Sequence, residues 1–173
     1  MSDLIIRPER PGDEAAIFAV TEAAFTGHPH SEGTEPAIVD ALRADGDLVL
    51  SLVAERAGEI VGHVAYSPAA LSGGDEGWMA LGPISVHPNQ QGQGIGRALV
   101  EAGSKHWQEA GAKGVVLLGD PALYGRFGFV RETPLHITGP LAEYFQTLPF
   151  TAEIPASSVT FAQAFRLARP TNR

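Results

Sequence analysis

Three glycines at alternate positions stand between two apolar stretches of different period. Gln91-Gly92-Gln93-Gly94-Ile95-Gly96 follows a mostly apolar run, Trp78–Val86, closed by His87-Pro88, and opens a stretch with helical periodicity over residues 94–110. A strand that passes into a helix through such a segment exposes several backbone N–H groups at the helix N-terminus, where the helix dipole adds about half a positive charge. Glycine at 92, 94 and 96 lets a ligand reach the main chain without side-chain obstruction. The chemistry this suits is the holding of an anion, a pyrophosphate above all, without lysine or arginine, and the side chain of Gln91 offers further donors. The alternative is that the glycines merely close a surface turn. Two better-known phosphate loops fail at a defining residue. A Walker loop needs Gly-Lys-Ser/Thr, whereas Gly96 is followed by Arg97-Ala98, and the dinucleotide fingerprint needs a third glycine where Arg97 stands.

The elements that must position this turn follow from periodicity and punctuation. Leu4-Ile5-Ile6-Arg7 closed by Pro8 predicts a strand, and Pro11-Gly12-Asp13 opens an amphipathic helix over Glu14–Phe25 with Asp13 as N-cap. Residues 26–33 (TGHPHSEG) form a loop. Residues 34–44 then form a helix with Ile38, Val39, Ala41 and Leu42 on one face. Residues 47–56 and 60–66 make an antiparallel hairpin across Ala57-Gly58-Glu59, and the turn-rich residues 67–77 lead to the central strand Trp78–Val86. In the helix of residues 94–110, Ile95, Leu99, Val100 and Trp107 face inward while Arg97, Glu101, Lys105 and Gln108 face out, and Gly111 ends it. Val115-Val116-Leu117-Leu118 predicts a buried strand, and Asp120-Pro121 starts a short helix with Asp as cap and Pro at its first position. A strand–helix–strand order of this kind implies a partly parallel sheet. Residues 159–167 are a further strand candidate, and the proline-rich residues 135–158 are left unplaced.

Composition narrows the function. The 173 residues are enough to bury roughly two-thirds of the surface exposed by the unfolded chain. The absence of cysteine excludes disulfides, thiolate metal sites and a cysteine acyl-enzyme, and fits a reducing cytosol. With 12 Lys plus Arg against 20 Asp plus Glu, the net charge of -8 is the wrong sign for a phosphate-backbone binder, so nucleic acid is not an expected partner. The first residues lack a basic segment followed by an apolar one, and no run reaches the roughly 18 apolar residues of a membrane span, so a soluble, cytoplasmic protein is expected. His28-Pro29-His30 with Glu32 is a poor ligand set for a metal, and none is expected.

At these residues the chain resembles a known family. Leu81-Gly82-Pro83-Ile84-Ser85-Val86-His87-Pro88, running into Gln91-Gly92-Gln93-Gly94-Ile95-Gly96-Arg97-Ala98-Leu99-Val100, is similar to the acetyl-CoA-binding motif of the GNAT superfamily of N-acetyltransferases, Gln/Arg-x-x-Gly-x-Gly/Ala. Farther on, Leu118-Gly119-Asp120-Pro121-Ala122-Leu123-Tyr124-Gly125-Arg126-Phe127-Gly128-Phe129 resembles the superfamily's later motif, a helix bearing Tyr before Gly-Phe. The similarity spans residues 4–130 by order of elements and points to a small bacterial-type subgroup. Many members have a longer helix with Asn at its start. Here Asp120-Pro121 lies just before Tyr124, so no side-chain contact from that helix is carried over.

The resemblance implies an α/β (α+β) GNAT-like acyl-CoA N-acyltransferase fold, a mixed central sheet with helices on both faces. Residues 1–173 are expected to form one domain, with the core motifs in residues 4–130 and residues 131–173 as a C-terminal extension. The resemblance also implies an acyltransferase that uses acetyl-CoA as co-substrate and passes the acetyl group, by direct attack in a ternary complex, to a primary amine of a small molecule or protein. A homodimer is compatible with it. The alternative is a non-catalytic acyl-CoA-binding sensor or interaction module of the same fold. The residues implied for the cofactor are Ile84, Ser85 and Val86, on a strand that splays from its neighbour, and Gln91, Gly92, Gln93, Gly94, Ile95, Gly96 and Arg97. Pro83 fits a break inside a central strand, or else an edge position. A coenzyme A thiol of pKa near 8.5 is well matched by a phenol near 10, which makes Tyr124 the candidate general acid; a packed aromatic beside Phe127 and Phe129 is the alternative. A lysine-like amine is neutral in about one molecule in a thousand at pH 7, so removing its proton addresses roughly 4 kcal/mol. Glu32, Glu35, Glu76, His63 and His87 are the candidates for that base.

Overall fold

The structure is a computed structural model that describes residues 3–29 and 31–168. The β-branched start of the chain forms β1 (Leu4–Pro8), and two helices follow, α1 (Glu14–Phe25) and α2 (Glu35–Ala44). Asp13 occupies the N-cap position of α1 but does not cap it. Its carboxylate accepts instead from the Arg7 guanidinium at 2.8 Å and the Arg10 N–H at 2.7 Å, because a charge-assisted pair outcompetes a neutral cap.

The hairpin β2 (Leu50–Arg56) and β3 (Glu59–Pro68) turns on two residues, Ala57 (φ 53°) and Gly58 (φ 79°), both left-handed as a tight hairpin turn requires. The connection is therefore one residue shorter than expected, since Glu59 already pairs with Arg56. The short β4 (Ala70–Leu71) precedes β5 (Trp78–Val86), and α3 (Ile95–Glu109) leads to β6 (Gly114–Leu118). Gly111, at φ 83°, ends α3 by donating its N–H to Gln108, while Ala112 reaches back to Trp107. After the one-turn helix α4 (Pro121–Tyr124) come β7 (Leu135–His136), β8 (Phe145–Pro149) and β9 (Ser157–Thr160). The region left unplaced from sequence thus contains a sheet strand, β8, with Pro149 at its end where no ladder donor is needed. The strand expected over 159–167 is shorter and earlier. Beyond Thr160 the chain turns into a 3-10 segment, Gln163–Ala168, that packs on α2.

The main sheet has the order β1-β2-β3-β5-β6-β8, antiparallel throughout except for the parallel pair β5–β6, and β4-β9-β7 form a small second sheet. Side chains alternate across the sheet. Val64, Tyr66 and Leu81 pack with Ile95, Leu99, Val100 and Trp107 of α3. On the opposite face Ala65 meets Ile38 and Leu42 of α2, and Val53 meets Ile17 of α1 and Val39. Helices therefore cover both faces, and each buried Leu or Ile contributes about 1.5–3 kcal/mol of transfer free energy to holding them there.

One close approach fixes α3 against the sheet. Gly103 faces the ring of the fully buried Tyr66, and a Cβ at this position would fall inside the ring's van der Waals envelope. A Gly→Ala change in a helix ordinarily gains up to about 1 kcal/mol, whereas overpacking a filled core typically costs 1–3. We expect Gly103→Ala to lower the melting temperature by several degrees, at roughly 2–4 °C per kcal/mol in a chain of this size, as read by calorimetry.

Candidate functional site

The site begins with a strand pair that stops early. β5 and β6 are paired only at Trp78↔Gly114, Met79↔Val115 and Ala80↔Val116. Beyond Ala80, β5 stays with β3 alone, and it carries one residue more than β3 between the pairs Val64↔Ile84 and Tyr66↔Leu81. Gly82 and Pro83 occupy the irregular stretch. Pro83 has no N–H to give a ladder, so the interior-break reading holds and the edge reading does not. His87 donates its N–H to Val61 of β3 at 2.9 Å. Because alternate residues face the same edge, Ser85 also turns its main chain to β3, while Ile84 and Val86 turn theirs toward the side that β6 has left. Ser85 is therefore not on the open edge, and its side chain is buried on the face covered by α1 and α2.

The turn after β5 supplies the second part. Pro88–Gln90 form a 3-10 turn in which His87 Nδ1 accepts from the Asn89 N–H at 3.2 Å. Gly92 (φ 77°) and Gly94 (φ 83°) hold left-handed angles that bring the chain to α3, and Gly94 is its N-cap without any side-chain cap. Ala98 makes the first intrahelical bond, to the Gly94 carbonyl at 3.0 Å. The N–H groups of Ile95, Gly96 and Arg97 therefore have no acceptor within the helix, and no acidic side chain stands in its first turn. The Gln91 side chain donates to the Val86 carbonyl at 3.1 Å, closing the turn onto the strand. Arg56, at the end of β2, donates to both Gln90 Oε1 and Gln93 Oε1 at 2.8 Å. Gln93 thus braces the turn through its side chain, and Ile95 anchors it in the core. Arg97 is exposed, pairs with Glu101 at 3.4 Å and lies 5.9 Å over the ring of Phe127. No spacing in the sequence marks Arg56, whose role arises from tertiary contact.

Tyr124 is the third part. Asp120 caps α4 by accepting from the Ala122 N–H at 2.9 Å, as the Asp-Pro pair predicts. The phenol ring packs between Phe127 and Phe129, at centroid distances of 6.2 and 5.9 Å, and lies flat enough on Gly119 that a Cβ there would collide with it. Gln146 fixes that glycine by donating to its carbonyl at 2.8 Å. Gly119 directly follows the last residue of β6, so Tyr124 stands where β6 has parted from β5. Burial first, and the charge of Asp120 second, push its phenol up to about 12. Tyr66, opposite Leu81 at the start of the gap, has its phenol raised by burial first and by the neighbouring charge of Tyr124 second.

The candidate bases separate. Glu32 and Glu76 are exposed, Glu76 at the end of β5 remote from the glycine turn, and Glu35 accepts from Ser31 at 2.7 Å. His87 is used by the 3-10 turn. His63 is fully buried on the α1/α2 face and hydrogen-bonded to Ser51 at 2.8 Å. Among the described residues no group of three or more His, Asp or Glu side chains is placed to hold a metal, and His30 lies outside them. Also among the described residues, no helix is long and apolar enough to cross a membrane.

Residues 48–131 match the family model described as an acetyltransferase (GNAT) domain. The chain is 41% identical over 127 residues, 73% of each protein, to the uncharacterised N-acetyltransferase YhbS of Escherichia coli (strain K12). Among solved structures it is similar to a GNAT family acetyltransferase from Brucella melitensis in complex with acetyl-CoA. The TM-score is 0.84 at 46% identity, covering 94% of this chain and 98% of that one. It is likewise similar to Escherichia coli YhbS in complex with CoA, with a TM-score of 0.87 at 34% identity, covering 96% and 93%.

The Arg56 brace has a testable consequence. Arg56→Ala removes two hydrogen bonds from the turn and none from the core. We expect amide exchange over residues 92–97 to accelerate while global stability falls by only about 1 kcal/mol, measured by hydrogen exchange and denaturant unfolding.

Proposed function

The chain belongs to the GNAT family of N-acetyltransferases, an acyltransferase family, and from that premise we propose that it carries an acetyl group from acetyl-CoA to a primary amine of a small molecule or protein, by direct attack with both substrates bound. The observation that supports this most is the juxtaposition of the open edge of β5 at Ile84 and Val86 with the uncapped amides of Ile95, Gly96 and Arg97. An amide-bearing pantetheine arm suits the first and a diphosphate suits the second. Neutral donors and a helix dipole carry the binding, which fits a protein of net charge -8. The chain has no cysteine to act as an acyl carrier.

The residues divide the chemistry among themselves. A main-chain N–H on the open edge of β5 faces the oxygen on which charge gathers when the amine attacks, and a preformed donor of this kind is worth several kcal/mol in a dry site. Tyr124 delivers a proton to the departing sulfur. Its raised pKa keeps the phenol protonated across the working range, so its ionisation imposes no loss of rate until the pH approaches about 12.

Two substitutions test this reading. Tyr124→Phe keeps the ring and removes only the hydroxyl. We expect thiol release with amine acceptors to fall about 100-fold or more while the acetyl-CoA dissociation constant changes little; unaltered turnover removes Tyr124 from the acid role. Gly94→Asn separates a ligand site from a mere turn. Asparagine tolerates the left-handed angle far better than alanine, for which the strain is about 1–2 kcal/mol, so folding should be nearly unaffected. Its side chain nevertheless stands where the anion approaches, and we expect acetyl-CoA to bind at least about tenfold more weakly by calorimetry, a loss of about 1.4 kcal/mol. Unchanged affinity favours the turn-closing alternative.

A further inference from the structure

A second polar system lies behind β5, on the face away from α3. Glu9, just after β1, is gripped by Arg43 of α2, with Nη2 to Oε1 at 3.0 Å and Nε to Oε2 at 3.1 Å. Ser51 of β2 donates its hydroxyl to Glu9 Oε1 at 2.6 Å, and its oxygen lies 2.8 Å from Nε2 of His63 on β3. Burial pushes the Glu9 carboxyl up, but the hydrogen bonds from Arg43 and Ser51 outweigh it and hold it below the usual carboxylate range. The carboxylate can only accept, so the single hydrogen of Ser51 goes to Glu9, and Ser51 must in turn accept from His63 Nε2–H. This fixes the tautomer. The lone pair of the neutral ring is on Nδ1.

That Nδ1 is buried with no hydrogen-bond partner. His63 faces Ser85 directly across the β3–β5 ladder, and the Ser85 hydroxyl is likewise buried and unpartnered. Each unmet buried polar atom costs about 1–3 kcal/mol, and these two stand on facing residues of one ladder position. Ser85 is flanked by Ile84 and Val86, whose main chains line the open edge, so the ring stands one strand behind the proposed reaction centre. At its other end the chain of hydrogen bonds reaches a surface cavity of about 350 Å³ lined by Glu9, Arg43 and Ser51.

We propose that His63, Ser51 and Glu9 form a proton path that takes the acceptor amine's proton from behind β5 and delivers it to solvent beside Arg43. The inference rests on the acetyl-transfer reading above. In the step, Nδ1 takes the amine's proton through a relaying water, as Nε2 passes its own to Ser51 and Ser51 passes its own to the Glu9 carboxylate. The net change is one proton moved from nitrogen to Glu9. No imidazolium persists in a buried ring whose pKa is held down to about 4, chiefly by burial, with Glu9 opposing and Arg43 assisting. The charged groups facing the ring are Glu9 and Arg43, and Glu14 of α1 acts on Arg43.

The test uses the primary amine that gives the fastest thiol release with the wild-type protein, followed from pH 6.5 to 10. His63→Gln keeps an amide donor near the Nε2 position and removes Nδ1; Ser51→Ala leaves the ring and cuts the path. For both variants we expect kcat/KM to fall about 100-fold near neutrality, with the deficit shrinking by up to tenfold per pH unit as the amine loses its proton unaided. The melting-temperature rise produced by acetyl-CoA should be unchanged. Nitrogen NMR of wild-type His63 should show Nε2 protonated and Nδ1 bare at pH 7. A loss that is equal at every pH, undiminished activity in Ser51→Ala, or an Nδ1–H tautomer overturns the path and leaves the acetyl-transfer reading intact. No turnover by wild-type protein with any amine defeats both.

Discussion

Two parallel strands that separate after three paired residues set the terms for everything else in this protein. Parallel strands of a covered sheet normally pair along their length, because an unmet main-chain group in a buried edge is expensive. Here an extra residue in β5 and a proline without an N–H break the ladder beyond Ala80, and β6 goes its own way toward Gly119. The separation turns part of the middle of a sheet into an edge. Buried Tyr66 and the close contact at Gly103 hold α3 to one side of that edge, while α1 and α2 close the other. The opening therefore lies within a rigid frame rather than in a loop.

Electrostatics follow from the same geometry. The chain is acidic overall, Arg56 is committed to Gln90 and Gln93, and Arg97 pairs with Glu101. What the turn offers an anion is a set of oriented amides. Such donors carry no net charge to attract unrelated polyanions, and the glycine angles at 92 and 94 fix their direction before any ligand arrives. Tyr124 is likewise fixed in place by its surroundings. Packing against Phe129 and Gly119 fixes the phenol, and burial keeps it protonated.

Much of this was legible from residues close in sequence. The helices α1, α2 and α3, the β2–β3 hairpin and the glycine turn all announce themselves through periodicity and through Gly and Pro, which act over a few residues. The parallel pair β5–β6 in an otherwise antiparallel sheet followed from the strand–helix–strand order. What sequence could not give depends on partners far apart. Asp13 looks like a cap until Arg7 takes it, and Arg56 looks like a strand end until it reaches the turn. β8 hides in a proline-rich stretch because one proline sits at its end, where the ladder tolerates it. The alternation that turns Ser85 away from the open edge, and the alignment of Glu9, Ser51 and His63, come from register, which no local pattern states.

The central claim is that the interrupted edge of β5 and the first turn of α3 are one ligand-binding surface made of main-chain donors. Residue-resolved amide hydrogen exchange with and without acetyl-CoA tests it directly. We expect the ligand to slow exchange at Ile84, Val86, Ile95, Gly96 and Arg97 and to leave Ser85 and His87, whose amides already face β3, unchanged. Slowing confined to another part of the molecule, such as the cavity beside Glu9 and Arg43, or no slowing at all, would contradict it.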